Sequence, residues 1–212
     1  MSTVDERQEA GPWILGTLGL ALILWWIIFR WKPLDFWLEM PVASTALALC
    51  SLFANRRHLS ELFGWRGLYL PVGILSALLL YGIFWTGQAI SSWILPFASG
   101  QVGTIYHDLG AGSPLVVGVL LAVVIAPAEE IFWRGFLQRA LAHRLGPWQG
   151  WLWASLIYGA LHSLSGNFML TMAALVAGSF WGLVYLRYGS LAPTILSHSL
   201  WDPLILLFFP IR

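Results

Sequence analysis

Glu129, Glu130 and Arg134 place three formal charges at the end of an apolar run, Pro114 to Ala126, that otherwise has the composition of a membrane span. An ionisable side chain at bilayer depth costs about 2.5–3.5 kcal/mol on insertion scales, so such groups persist where they pair or serve a site. On a helix Glu130 and Arg134 lie four apart on one face and can neutralise each other. Glu129 sits a quarter-turn round and is left for other work. Two further polar pairs interrupt apolar helices: Tyr158 with His162, and His198 with Asp202. Each pair has i,i+4 spacing and shares one helix face.

A carboxylate, two imidazoles and a second carboxylate suit the activation of water. A carboxylate in a low-dielectric site can take a proton from water as a general base. A nearby histidine can share that proton and pass it to a leaving amine, while further donors stabilise the oxyanion of a tetrahedral intermediate. The same residue types, Glu129, His162 and His198, could instead hold a divalent metal such as zinc that activates the water. His-Glu-x-x-His, the local zinc signature, does not occur. Ser155, Ser163 and Ser197 stand in no Gly-x-Ser-x-Gly elbow and are set aside as nucleophiles.

The three pairs, in order, resemble the signatures of the CPBP intramembrane proteases, the family of type II CAAX-processing endopeptidases and bacteriocin-processing or immunity proteins. Glu129-Glu130-x-x-x-Arg134, Tyr158-x-x-x-His162 and His198-x-x-x-Asp202 are similar to its Glu-Glu-x-x-x-Arg, Phe-x-x-x-His and His-x-x-x-Asn/Asp patterns. Phe132-Trp133-Arg134-Gly135-Phe136-Leu137 and Gly189-Ser190-Leu191 also match what surrounds them. The resemblance covers Pro114–Pro203. It implies Glu129 as the catalytic carboxylate and His162 as its partner in activating water. It further implies Glu130 and Arg134 as the ion pair holding the site, and His198 and Asp202 as the groups that orient water or stabilise the intermediate. Tyr158 stands where the family has Phe, adding a hydroxyl to a packing ring. A metal-free glutamate mechanism is the favoured reading, requiring no cofactor, although the residues remain compatible with a metal.

The elements that must carry these residues are apolar helices. Spans are expected at about Trp13–Trp31, Phe36–Ala54, Leu68–Leu95, Pro114–Leu145, Trp148–Ser163, Phe168–Tyr188 and Leu191–Phe209, with an amphipathic connector at Leu59–Gly67. Pro127 is expected to kink the fourth, and Gly146-Pro147 to turn it into the fifth. Glu129 lies 17 residues before Gly146 and His162 lies 16 after it, so the hairpin brings carboxylate and imidazole to similar depth. Beyond Glu130 the pattern turns amphipathic, with Arg134 and Gln138 in a polar row. Gly178-x-x-x-Gly182 permits close helix contact. Pro96–Ser113, rich in glycine, reads as a loop; the carboxylates Asp35 and Glu39 read as helix-start groups. The chemistry falls after Pro114, giving an expected division into N-terminal helices and connector, 1–113, and a catalytic bundle, 114–209. The first three helices read as a collar around the latter.

Composition sets the class. Of 212 residues, 58% are hydrophobic and only 10% charged, against about 25% charged in soluble domains, and mean hydropathy is +0.75. The chain is therefore expected to be an all-α polytopic membrane bundle of about seven spans. Fourteen tryptophans, many near helix ends, fit interfacial belts. A net charge of +1 without a basic cluster excludes nucleic acid as the expected partner. The lone Cys50 excludes an intrachain disulfide. The polar, acidic start differs from a signal peptide. Arg7, Arg56, Arg57, Arg66, Arg139, Arg144 and Arg187 share the expected N-terminal side, against Arg30, Lys32 and Arg212 opposite; this puts the N-terminus in the cytoplasm, in a bacterial inner membrane. The expected activity is intramembrane endopeptidase cleavage of a membrane-associated or lipidated protein. Its rivals are a proton-coupled transporter, which would use a similar Glu/His/Asp relay, and a non-catalytic scaffold or immunity protein.

Overall fold

The computed structural model describes residues 3–109 and 113–211, and among them every regular element is helical. α1 (Thr3–Trp26) continues through a π-helical turn, Ile27–Trp31, and stops where Lys32 takes the left-handed conformation, φ 50°. α2 (Phe36–Ala54) starts at Asp35, whose carboxylate accepts from Trp37 N at 2.8 Å, while Glu39 accepts from Leu34 N at 3.0 Å. Both carboxylates thus close a helix start, as their positions implied. A short α3 (Leu59–Leu62) leads into α4 (Tyr69–Ile94).

Residues 96–113, expected to be a loop, are largely helix: α5 spans Ala98–Leu109. Tertiary bonds outweigh the cost of its glycines. Gln101 Oε1 accepts from Met169 N at 3.0 Å and its carbonyl from Asn167 Nδ2 at 2.9 Å. The Tyr106 hydroxyl donates to Ile205 O and accepts from Ile211 N, both at 3.0 Å. Positions 110–112 of the expected loop, and the side chains of Arg7 and Arg212, lie outside the described residues.

α6 runs over Pro114–Leu145. Pro127 does not break it; instead the helix widens into π-helical stretches on either side, Leu120–Ile125 and Ile131–Gln138. A missing N–H at Pro127 removes one rung of the ladder, and such widened turns recur at functional sites. Gly146, at φ 97°, turns the chain into α7 (Pro147–His162). There a Cβ on Gly150 would collide with the Ala142 backbone, so the hairpin closes tightly at this point. α8 (Phe168–Tyr188) is capped by Asn167, and α9 (Leu191–Pro203) by Ser190, with a π-helical end at Leu204–Phe208.

Six helices among the described residues are long and apolar enough to cross a membrane. α7, at 16 residues, falls just short of the roughly 17–25 needed. The molecule is a polytopic helical bundle of six candidate spans, with α7 packed beside them. Leucines and tryptophans such as Leu15, Leu75 and Trp93 stand exposed on its outside, where hydrocarbon is the solvent that fits them. One core cluster joins Trp25 of α1 and Ile28 of the turn that continues it, Trp37 and Leu47 of α2, Phe132, Trp133, Phe136 and Leu137 of α6 and Tyr158 of α7. The helices expected to form a collar therefore supply part of the site's walls.

Candidate active site

The polar row of α6 meets the glycines of α8. Arg134 donates from Nη2 to Gly178 O at 3.0 Å, and Gln138 donates from Nε2 to Gly182 O at 2.9 Å. The two donors and the two carbonyls share i,i+4 spacing, so a single register satisfies both. Small residues make this possible: a Cβ on Gly178 would stand 2.7 Å from Tyr158 Cδ1, and one on Gly182 2.7 Å from Trp151 Cδ1. Close approach of this kind exposes carbonyls to interhelical donors.

Arg134 also donates from Nη1 to Glu130 Oε1 at 2.8 Å, the ion pair its spacing predicts. Glu130 is wholly buried. The same Oε1 lies 2.9 Å from His198 Nδ1, which was not foreseen: sequence spacing reveals partners on one helix, and His198 stands on α9. On its other edge His198 Nε2 is 3.4 Å from Asp202 Oδ1, a looser contact. Trp181 of α8 stacks on the imidazole, centroids 3.7 Å apart, and its Nε1 donates to Ser197 Oγ at 3.1 Å. The ring is thus fixed in plane and in rotation.

Glu129 faces inward, 4% exposed. Its neighbour is not a histidine but Tyr158, whose hydroxyl donates to Glu129 Oε2 at 2.7 Å. The Tyr158 carbonyl in turn bonds His162 Nδ1 at 2.8 Å. Tyr158 therefore links carboxylate and imidazole, which share no direct hydrogen bond. His162 is 7% exposed and packs against the Tyr158 ring at 4.4 Å. From α1 the rings of Phe29, at 5.8 Å, and Trp25, at 6.0 Å, also face it. These two residues sequence reasoning missed, because aromatic residues in an apolar helix carry no signal of what they touch. Arg134 lies between the two halves, its guanidinium 5.3 Å from the Tyr158 ring and 5.6 Å from the Trp181 ring.

All seven residues singled out in the sequence lie buried at the meeting of α6, α7, α8 and α9. The structure bonds Glu129 to Tyr158, Tyr158 to His162, and Glu130 to both Arg134 and His198; it does not bond Glu129 to either histidine. The suggested metal set of Glu129, His162 and His198 does not gather: among the described residues no three His, Cys, Asp or Glu side chains are grouped to hold a metal ion.

Comparison with known proteins decides the kinship. Residues 111–204 match the family model described as type II CAAX prenyl endopeptidase Rce1-like. This segment is CAAX protease-like. No curated protein and no solved structure matches the chain. The CAAX protease-like segment begins just before α6 and ends just after α9, so it contains every hydrogen bond of this site. Six helices of membrane-crossing length and kinship with this family accord with an integral membrane protein.

Proposed function

We propose that the protein is an intramembrane endopeptidase that hydrolyses a peptide bond of a lipidated or hydrophobic membrane protein, with water activated by Glu129 and His162 and without a metal. What carries the reading is the different fate of two adjacent carboxylates. Among the described residues, Glu130 is tied through Oε1 to the Arg134 guanidinium and to His198, with Oε2 unpartnered, whereas Glu129 accepts only from the neutral Tyr158 hydroxyl. A carboxylate with one oriented donor keeps acceptor capacity for a water molecule.

In this mechanism Glu129 takes a proton from water as its oxygen attacks the scissile carbonyl carbon. The C–O bond forms, and the carbonyl oxygen becomes an oxyanion. The His198 Nε2–H, only loosely engaged by Asp202, donates to that oxygen from the ring position that Trp181 and Glu130 hold. An ionised Asp202 can only accept, so its part is to orient His198. The C–N bond then breaks as the proton reaches the leaving amine through His162, giving a free carboxylate and an amine. Residues 114–209 supply these groups, and 1–113 the packing that encloses them. Because Glu129, His162 and His198 are all buried, helices must part to admit the substrate. The arginines gathered at the helix ends on the N-terminal side support a cytoplasmic N-terminus in a bacterial inner membrane.

The test is cleavage of lipidated peptides by the protein in proteoliposomes made up in H₂¹⁸O. Two fragments, with one ¹⁸O in the new carboxylate, are expected. Intact peptide across a panel of lipidated and hydrophobic substrates contradicts the proposal.

A further inference from the structure

Away from the buried site, a groove of about 270 Å³ opens between the end of α6 and the end of α8. Gln138, Arg139, Ala142, His143, Tyr185 and Leu186 line it. The helix ends around it are joined: Ser190 Oγ donates to Gly64 O at 2.7 Å, Tyr69 Oη to Tyr188 O at 3.4 Å and Arg139 Nη2 to Glu61 Oε2 at 2.8 Å. This end of the bundle carries Arg56, Arg57, Arg66, Arg139, Arg144 and Arg187, with Glu61 the only carboxylate among the described side chains there. We propose that the groove is a binding site for the phosphate headgroup of an anionic phospholipid, with Arg139 as its cation and Glu61 as the competing anion that occupies Arg139 when no lipid is bound.

Three observations select a lipid as the occupant. The groove is smaller than a drug-sized pocket and suits a headgroup. It lies at the end of two candidate membrane spans, Pro114–Leu145 and Phe168–Tyr188, where headgroups sit. Its apolar wall continues down α8 from Leu186 to Leu183, three residues earlier on the same face and 41% exposed, so an acyl chain has a track to follow. Glu61, 64% exposed, swings into solvent at little cost, because exposed pairs contribute little. The site is independent of whether the chain cleaves peptides.

The experiment compares phosphatidylglycerol with phosphatidylcholine binding to the purified full chain in detergent micelles, by native mass spectrometry. The expected result is preferential retention of phosphatidylglycerol, weakened about fivefold in Arg139→Gln and strengthened in Glu61→Gln. Both substitutions lose the same ion pair, so a merely structural effect would move both in one direction; that outcome overturns the proposal. Equal retention of the two lipids also overturns it. So does displacement of phosphatidylglycerol by an equal concentration of inorganic phosphate, which would mark a free-anion site.

Discussion

The hydroxyl of Tyr158 stands 2.7 Å from Glu129 Oε2, both groups buried, where related sequences were expected to place a bare phenyl ring. Tyr158→Phe removes that bond and leaves the ring against Trp133, at 4.9 Å, and His162 in place. A hydrogen bond to a charged group contributes about 1.5–3 kcal/mol. We expect kcat to fall about ten- to hundredfold, with KM and melting temperature little changed. An unchanged kcat would show that the hydroxyl does not position the carboxylate.

Glu130 and Arg134 form a buried pair, 0% and 2% exposed. Removing one partner leaves an uncompensated charge and costs about 3–5 kcal/mol. Arg134→Met should lower thermal stability sharply, and the double replacement Glu130→Gln with Arg134→Met should recover much of the loss. Thermal unfolding in detergent checks both, and a double variant no more stable than Arg134→Met alone contradicts the pairing.

Gly178→Ala introduces a methyl group 2.7 Å from Tyr158 Cδ1. Either Tyr158 or α8 must shift, at a cost of about 1–3 kcal/mol, and the Arg134 bond to the Gly178 carbonyl loosens with it. A lower melting temperature together with reduced cleavage is expected. Wild-type behaviour in both would mean the helices are not in close contact there.

The fold's class and most of its helices were legible because bilayer helices announce themselves by length and hydropathy. Bonds within one helix were legible too: Glu130 with Arg134, and Asp35 and Glu39 at the start of α2, follow from spacing alone. What crosses between helices was not. Sequence periodicity carries no register between α6 and α9, so the Glu130–His198 bond was invisible, as was the closure of His162 by Trp25 and Phe29 of α1. Gly178 and Gly182 signalled close packing without showing that their carbonyls would accept from Arg134 and Gln138. The helix Ala98–Leu109 was hidden for a related reason, since its glycines read as loop and its support comes from Asn167 and Ile205, far along the chain.

The proposed mechanism needs no metal. Cleavage should survive excess chelator at its full rate, and metal analysis of active protein should return less than one equivalent. Loss of activity on chelation, restored by added zinc, contradicts it.

Glu129→Gln bears most directly on the central claim that this carboxylate activates water. The change keeps size and an acceptor for the Tyr158 hydroxyl while removing the base. The expected result, in proteoliposomes with a cleavable lipidated peptide, is a fall in kcat of about 10²–10⁴ with an unaltered melting temperature. Cleavage by the Gln variant at the wild-type rate would contradict the account.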